Sequence, residues 1–496
     1  MTAESADAQA IRPPSMVDSI VPLVVLAVLI ACALALFGLE ALDGPVQAAL
    51  VLCCAVAALI ALKNGHRWAA VQESGQKALS SITSALFILL AVGALIGTWN
   101  MSGTIPTLVY YGIQVLSPGY FYIAAAVICG VVAMSIGSSW TTAGTIGVGL
   151  VGIATMLGVS APITAGAVIS GAYLGDKLSP LSETTILTAQ MVKVDLYTHI
   201  RNQAWTSVPA FVLAAVVFAV LGVAGPAPAD AVPEEIELSK LSEIFWITPL
   251  NLLPLVLLVF LSVRKAPASL ALLGSALFAG VQATILQRDV VSAFAAEIHG
   301  SSNPVVGAVQ AIWKALANGF TMNSGIGEID RLLSRGGMDS MLLTIWLIIG
   351  AVTFGALLEQ FGLIDRLINP MIESAKSTGR LYLSVFASGV GLNIVAGDQY
   401  IALVLPARMF RVEFERRGLA PQNLSRLAAD SGTVTSPLVP WNSCGAFMGA
   451  VLGVATLSYL PFALFCIFSP VLSVIYGFTG FKVKKVPPTE KAGIET

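Results

Sequence analysis

The chain has 496 residues, 56% of them hydrophobic and only 11% charged, with a formal net charge of -2, whereas a soluble protein carries about 25% charged residues. That balance excludes a soluble globular enzyme. The absence of any basic run, or of basic residues interleaved with aromatic ones, excludes a nucleic-acid binder. What remains is a polytopic, all-α membrane protein.

Cys32, Cys53, Cys54, Cys129 and Cys466 lie in apolar runs and Cys444 in a polar motif. None has metal-ligand spacing, and all six read as small buried side chains. His66, His199 and His299 fall in connecting stretches and read as solvated.

In chain order, residues 1–19 form a polar tail followed by an apolar run too long for a signal-peptide core. Residues 20–42 and 46–62 are each long enough to cross about 30 Å of hydrocarbon at about 1.5 Å per residue. Asp43, Gly44 and Pro45 make the turn between them, and 20–81 is a pair of scaffold spans with a basic loop. Residues 82–99 cross to a connection, 100–119, without Lys or Arg, which the positive-inside rule puts outside. The long apolar stretch 120–158 is interrupted by GSSWTTAG (137–144) and predicts a re-entrant hairpin. Residues 162–191 run inward and deliver Lys193, His199 and Arg201 to the cytoplasm, which closes a unit spanning 82–202.

The connecting region, 203–340, holds spans at 204–223, 250–263 and 267–286. It also holds an external acidic loop with Asp230, Glu234, Glu235, Glu237 and Glu243, and a long polar connection, 287–339, whose residues 305–320 predict an amphipathic helix. A second unit, 341–458, repeats the order: a span at 341–361, a hairpin at 381–409 interrupted at AGDQ (396–399), and a broken span at 428–455 around TSPLVPWNSCG (435–445). The last span and a basic tail complete the chain at 459–496. The count is ten spans and two re-entrant hairpins, with both termini cytoplasmic.

Three strings pair across the two units: GALIGTW at Gly93 with GALLEQF at Gly355, the hairpin tips at Ser139 and Gly397, and Ser179-Pro180-Leu181 with Ser436-Pro437-Leu438, at offsets of 262, 258 and 257 residues. One unit begins inside and the other outside, so the pattern predicts an inverted-topology repeat. Secondary transporters of that plan carry their site near the midplane, where broken helices meet.

The stretch SGAYLGDKLSPLSETT (170–185) puts charge where none belongs. Gly costs about 1 kcal/mol in a helix interior and Pro about 3, so Gly175 and Pro180 predict an unwound segment between half-helices. The plainer alternative is an interfacial loop. Together the two units offer Asp176, Ser179, Ser182, Glu183, Thr184 and Thr185 from one half, and Asp398, Thr435, Ser436, Trp441, Asn442 and Ser443 from the other. Carboxylate, hydroxyl and amide oxygens suit a hard cation such as sodium, with Asp176, Ser179, Asp398 and Asn442 as its expected ligands. A buried carboxylate also takes a proton, so sodium and proton compete for one site. Lys177 is either a buried partner or an interfacial side chain. Asp398 also fits a plain turn residue. Glu40, Glu359 and Asp430 read as lying near span ends, reaching water or an Arg.

GAYLGDKLSPLSETT, GDQYIALVLPARMF (397–410) and the run 419–448 through NLSRLAADSGTVTSPLVPWNSCGAFM resemble the NhaC family of sodium/proton antiporters, over roughly residues 87–457. The resemblance implies a carrier of the cytoplasmic membrane with the ion-transporter type of fold. It also brings in relatives that exchange malate with lactate or carry amino acids. Glu183 stands where many members would have Asp.

Sodium/proton antiport is therefore expected, without a cofactor beyond the transported ions. The alternative is coupled transport of a small organic acid or amino acid, which calls for a midplane Arg or Lys; apart from Lys177 none is evident. A channel is disfavoured by the repeat, and an enzyme by the absence of a nucleophile-base or cofactor motif. Membrane lipid is the surrounding partner, and both a monomer and a homodimer stay open.

Overall fold

The structure is a computed structural model and describes residues 11–224, 234–299, 303–325 and 327–486; the acidic residue Asp230 and most of the polar N-terminal tail lie outside the described residues. Those residues are helical throughout, with one isolated bridge between Leu419 and Lys485. Helices α1 (Met16–Phe37) and α2 (Pro45–Lys63) pack against each other. Ser15 caps α1 reciprocally with Asp18, and Lys63 reaches Asp18 at 2.7 Å.

The first unit comprises α3 (Trp68–Met101), α4 (Thr104–Val115), α5 (Phe121–Ile136), α6 (Ser139–Thr142), α7 (Val148–Met156), α8 (Ala161–Leu178) and α9 (Glu183–Met191), with a π-helical turn, Ala143–Gly147, joining α6 to α7. Helix α3 starts well before residue 82, because Ala, Gln, Glu and Lys between 68 and 81 sustain a helix in water. Helix α4 fills what the sequence leaves as a loop. The connecting region holds α10 (Leu196–Ala224), α11 (Glu234–Ile244), α12 (Leu253–Val263), α13 (Ala268–Leu286), α14 (Arg288–His299), the amphipathic α15 (Pro304–Asn318) and α16 (Gly327–Leu333). Small residues of α15, Gly307, Ala311 and Ala315, form its buried face.

The second unit comprises α17 (Leu342–Gln360), α18 (Leu363–Ser374), α19 (Thr378–Val395), α20 (Gln399–Arg416), α21 (Pro421–Ala428) and α22 (Ser443–Leu452), with a π-helical turn, Ala429–Thr433, extending α21. Short α23 (Thr456–Tyr459) and α24 (Leu464–Thr479) follow. Among the described residues seven helices are long and apolar enough to cross a membrane. Six are expected spans, and the seventh, Pro118–Ile136, falls where the sequence predicts the first arm of a re-entrant hairpin. The other four expected spans are the two broken elements and two shorter apolar helices, Pro249–Val263 and Leu464–Thr479. Broken spans fall short for the reason they were noticed: polar residues interrupt them.

The two units share more than element order. Left-handed Gly103 and Gly362 each open a 12-residue helix, α4 and α18, and lie 259 residues apart. Left-handed Gly137 and Gly397 form the two tips, 260 apart. Ser138 and Asp398 then cap the helices that follow the tips, and Ser182 and Asn442 cap the helices that follow the breaks. A spacing of 260 also sets Pro180 opposite Pro440, not Pro437 as the string match suggests. Short matches in Gly- and Ala-rich sequence slip by a few residues; cap positions are fixed by the backbone.

Candidate functional site

Helix α8 does not unwind at Gly175. Its glycines serve close packing instead: a Cβ on Gly171 or Gly175 would run into the α5 backbone at Ala126 or Gly130. The helix ends at Leu178, because Pro180 has no N–H to continue the ladder. Hydroxyl side chains then satisfy the backbone that the break frees, as a membrane interior requires. Ser179 Oγ donates to the Met134 carbonyl at 2.8 Å, Thr185 Oγ1 donates to the Lys177 carbonyl at 3.1 Å, and Ser182 Oγ accepts from Thr185 N at 3.3 Å.

Asp176 survives as a buried carboxylate on the last turn of α8. Its Oδ2 accepts from both the backbone N, at 3.2 Å, and the hydroxyl, at 2.7 Å, of Ser139, the first residue of α6. Ser182 lies alongside the same carboxylate. Asp398 has a matching geometry. It is the N-cap of α20, and its Oδ1 accepts from Tyr400 N at 2.8 Å and Ile401 N at 3.0 Å. In each carboxylate one oxygen is anchored on a helix N-terminus, where N–H groups and the helix dipole favour negative charge. Among the described residues, no hydrogen bond of ordinary geometry is made to the other oxygen, Oδ1 of Asp176 or Oδ2 of Asp398.

Both aspartates line one cavity of about 920 Å³. The first residues of four helices, Ser139, Glu183, Gln399 and Ser443, all face it. Trp140 stacks on Phe447 at 4.1 Å between ring centres, joining the first hairpin to α22. Tyr400 donates to Glu183 at 3.2 Å across the cavity, from the second unit to the first. The mouth is formed by Ser81 to Ile88 on α3, the turn from Ser262 to Ala268, and Glu359.

Of the twelve residues read from sequence, Asp176, Glu183, Thr184, Asp398 and Ser443 line this cavity. The other seven do not. Asn442 caps α22, accepting from Cys444 N at 3.0 Å, while its amide donates to Asn393 Oδ1 at 3.0 Å. Thr435 accepts from Asn393 at 2.9 Å, Ser436 donates to the Thr433 carbonyl at 2.7 Å, and Trp441 donates to the Ile394 carbonyl at 2.6 Å. Ser179, Ser182 and Thr185 hold the first break as described. The spacing of 260 relates the Met134 carbonyl, which accepts from Ser179, to the Ile394 carbonyl, which accepts from Trp441, although Ser179 itself maps onto Val439. It also relates Ser139 on Asp176 to Gln399, whose Oε1 accepts from Ser436 at 3.3 Å.

Sequence reasoning missed Ser139, Trp140, Gln399 and Tyr400. The only signal for the first two was the polar interruption GSSWTTAG, and for the others their place beside Asp398. It also misplaced Asp430. That residue is fully buried, paired with Lys177, and accepts from Ser469 and, at 3.0 Å, from Thr206. Lys177 is thus a buried partner, behind the cavity wall. A carboxylate can sit so deep because the π-helical turn presents it to three other helices. His199 is likewise buried, between Ser425 and Gln203 on the polar face of α10, not solvated. Cys32 is exposed, on the outer side of α1. Glu359 is partly exposed and faces Arg408 at 3.6 Å, and Glu40 is exposed, both as expected.

The model of the Na+/H+ antiporter family matches residues 15–191 and 171–481. The chain is 36% identical over 438 residues to the Na(+)/H(+) antiporter NhaC of Alkalihalophilus pseudofirmus, covering 88% of this chain and 90% of the relative. It is 34% identical over 441 residues to the malate-2H(+)/Na(+)-lactate antiporter of Bacillus subtilis, covering 88% and 90%. To the arginine/ornithine antiporter ArcD of Halobacterium salinarum it is 34% identical over 486 residues, covering 97% and 95%. The chain is a multi-pass membrane protein and belongs to the Na+/H+ antiporter family.

Proposed function

We propose that this chain exchanges sodium for protons across the cytoplasmic membrane by alternating access, with Asp176 and Asp398 as the shared binding groups. The observation that carries this is the pairing of geometries: two buried carboxylates in one cavity, each with one oxygen tied to a helix N-terminus and one left for a ligand. A sodium ion and a proton need the same free oxygens, so they exclude each other. Ser139, Thr184 and Ser443 add neutral oxygens on the cavity wall, which complete a sodium shell without holding a proton.

The two units form an inverted repeat with two re-entrant hairpins, and the constant spacing of tips and caps supports it. Loop charges put both termini in the cytoplasm, so the mouth beside Lys265 and Glu359 opens inward. Exchange of an organic acid or amino acid is the weaker alternative. The cavity's lining carries a single basic residue, Lys265, at the mouth, and Lys177 is occupied by Asp430, so no free cation waits beside the aspartates for a substrate carboxylate.

The test is flux in proteoliposomes, screening sodium, lithium, potassium, malate, lactate and amino acids against an imposed pH gradient. Sodium-dependent proton flux is expected, and Asp176→Asn and Asp398→Asn should each abolish it while leaving insertion intact. Wild-type sodium and proton flux in both variants would move the site elsewhere.

A further inference from the structure

A second cavity, of about 420 Å³, is lined by Glu40, Asp43 and Gln47 near the α1–α2 turn, by Ser340 just before α17 and Leu343, Thr344 and Leu347 on it, and by Pro440, Ala446 and residues up to Thr456. The spacing of 260 residues gives this cavity a meaning. It carries Ser84, Pro180 and Ile186, which line the first cavity, onto Thr344, Pro440 and Ala446, which line the second. The same spacing carries Ser138, Ser139 and Glu183 onto Asp398, Gln399 and Ser443, all within the first cavity. The floor of the first cavity therefore maps onto itself, and its approach maps onto the second cavity. A pseudo-two-fold axis through the floor of the first cavity accounts for both results.

The ends of the helices agree. The first cavity draws on the middle of α3, around Ile82 and Ser84, and the second on the N-terminal end of α17, which the spacing of 260 sets opposite it. In an inverted repeat those segments face opposite sides of the membrane. One independent feature points to a ligand in the second cavity. Gln47 is buried, its amide nitrogen donates to the Leu42 carbonyl at 2.6 Å, and its Oε1 has no hydrogen-bond partner. A buried amide oxygen left bare calls for a donor or a cation. Glu40 and Asp43, both exposed, put negative charge at the same opening.

We propose that the second cavity is the vestibule through which a hydrated monovalent cation reaches Asp176 and Asp398 from the opposite side of the membrane. Gln47 Oε1 is its first inner contact. This rests on the aspartate cavity being the exchange site. The barrier is short. Pro440 faces the second cavity and Ser443 the first, so the break that Asn442 caps is all that separates them along the chain. In the first unit the equivalent Pro180 and Glu183 both face the first cavity. The first break is the open gate and the second the closed one.

The experiment uses full-length chain with native cysteines replaced by Ser and exchange retained, reconstituted in one orientation. Single cysteines are placed at the related positions, Ser84→Cys and Thr344→Cys, and a charged, impermeant methanethiosulfonate is added to one face at a time. Each thiol is expected to react from one face only, the two faces being opposite, and modification of either should slow exchange at least tenfold. Gln47→Leu should raise the sodium half-saturation severalfold when sodium is supplied at the Thr344 face and leave it unchanged at the other; a merely structural role for Gln47 would alter both faces alike. Reaction of both thiols from the same face overturns the assignment, as does unaltered exchange after complete modification of Thr344→Cys. Retained exchange in Asp176→Asn and Asp398→Asn would remove the site itself, and that result is read from different variants than the accessibility of the two cavities.

Discussion

Ser139→Ala tests the site at the residue that sequence reasoning overlooked. The hydroxyl sits 2.7 Å from Asp176 Oδ2, and the backbone N of the same residue, at 3.2 Å, stays in the variant. A hydrogen bond to a charged group is worth about 1.5 to 3 kcal/mol, and with the backbone donor kept in place the lower figure applies. At about 1.4 kcal/mol per factor of ten, the sodium concentration for half-maximal exchange should rise roughly tenfold at fixed pH. Ser139→Thr keeps the donor and should restore the wild-type value. Ser135→Ala is the control, since that hydroxyl donates only to the Val131 carbonyl. The assay is sodium-dependent proton flux in proteoliposomes. A folded Ser139→Ala protein with wild-type half-saturation would refute the claim that Ser139 prepares Asp176 for the cation.

Two further variants separate structure from binding. Lys177→Met leaves the buried Asp430 carboxyl without its cation, which should cost up to about 3 to 5 kcal/mol of stability, whereas Lys177→Met with Asp430→Leu should recover most of it; equal unfolding temperatures for the single and double variants would show that the pair is not coupled. Asn442→Ala should lose about 1 kcal/mol as a missing helix cap with an unchanged sodium half-saturation, and a raised half-saturation at unchanged stability would return Asn442 to the ligand set.

Most of the architecture was legible because it rests on local rules. Gly137, Gly397 and Pro180 announce interruptions wherever they fall in apolar sequence, and the element order of the two units followed from them. What the sequence left open were partners across the fold. Lys177 and Asp430 are 253 residues apart, and nothing local to either marks the other. The hydroxyl-rich breaks misled for a different reason: Ser179, Thr185 and Thr435 carry the oxygens a sodium ion wants, yet a broken helix in a membrane needs the same oxygens for its own backbone. Asp176 and Asp398 differ from these hydroxyls in that a carboxylate has two oxygens and the helix N-terminus takes one.

That division of labour also bears on why ions would not leak. An ionised carboxylate near the bilayer centre costs about 2.5 to 3.5 kcal/mol on insertion scales. If the site changes its exposure with both aspartates empty, roughly twice that, about 5 to 7 kcal/mol, opposes the change, which at about 1.4 kcal/mol per decade slows it by roughly four orders of magnitude. A bound proton or sodium ion removes part of that barrier, so the step is fast only when the site is loaded. The anchored oxygens matter here because Ser139 holds Asp176 to the start of α6, and the Tyr400 and Ile401 N–H groups hold Asp398 to the start of α20, whether or not a ligand is bound. The charge must then travel with the helices instead of turning aside to water. Asp398→Asn, which removes one of the two charges, should therefore speed the empty transition roughly a hundredfold even as it abolishes coupled exchange. Uncoupled switching of thiol accessibility between the two cavities, measured without sodium, is where that acceleration would be seen; switching at the wild-type rate in Asp398→Asn would mean that something other than the aspartates' charge holds the empty carrier still.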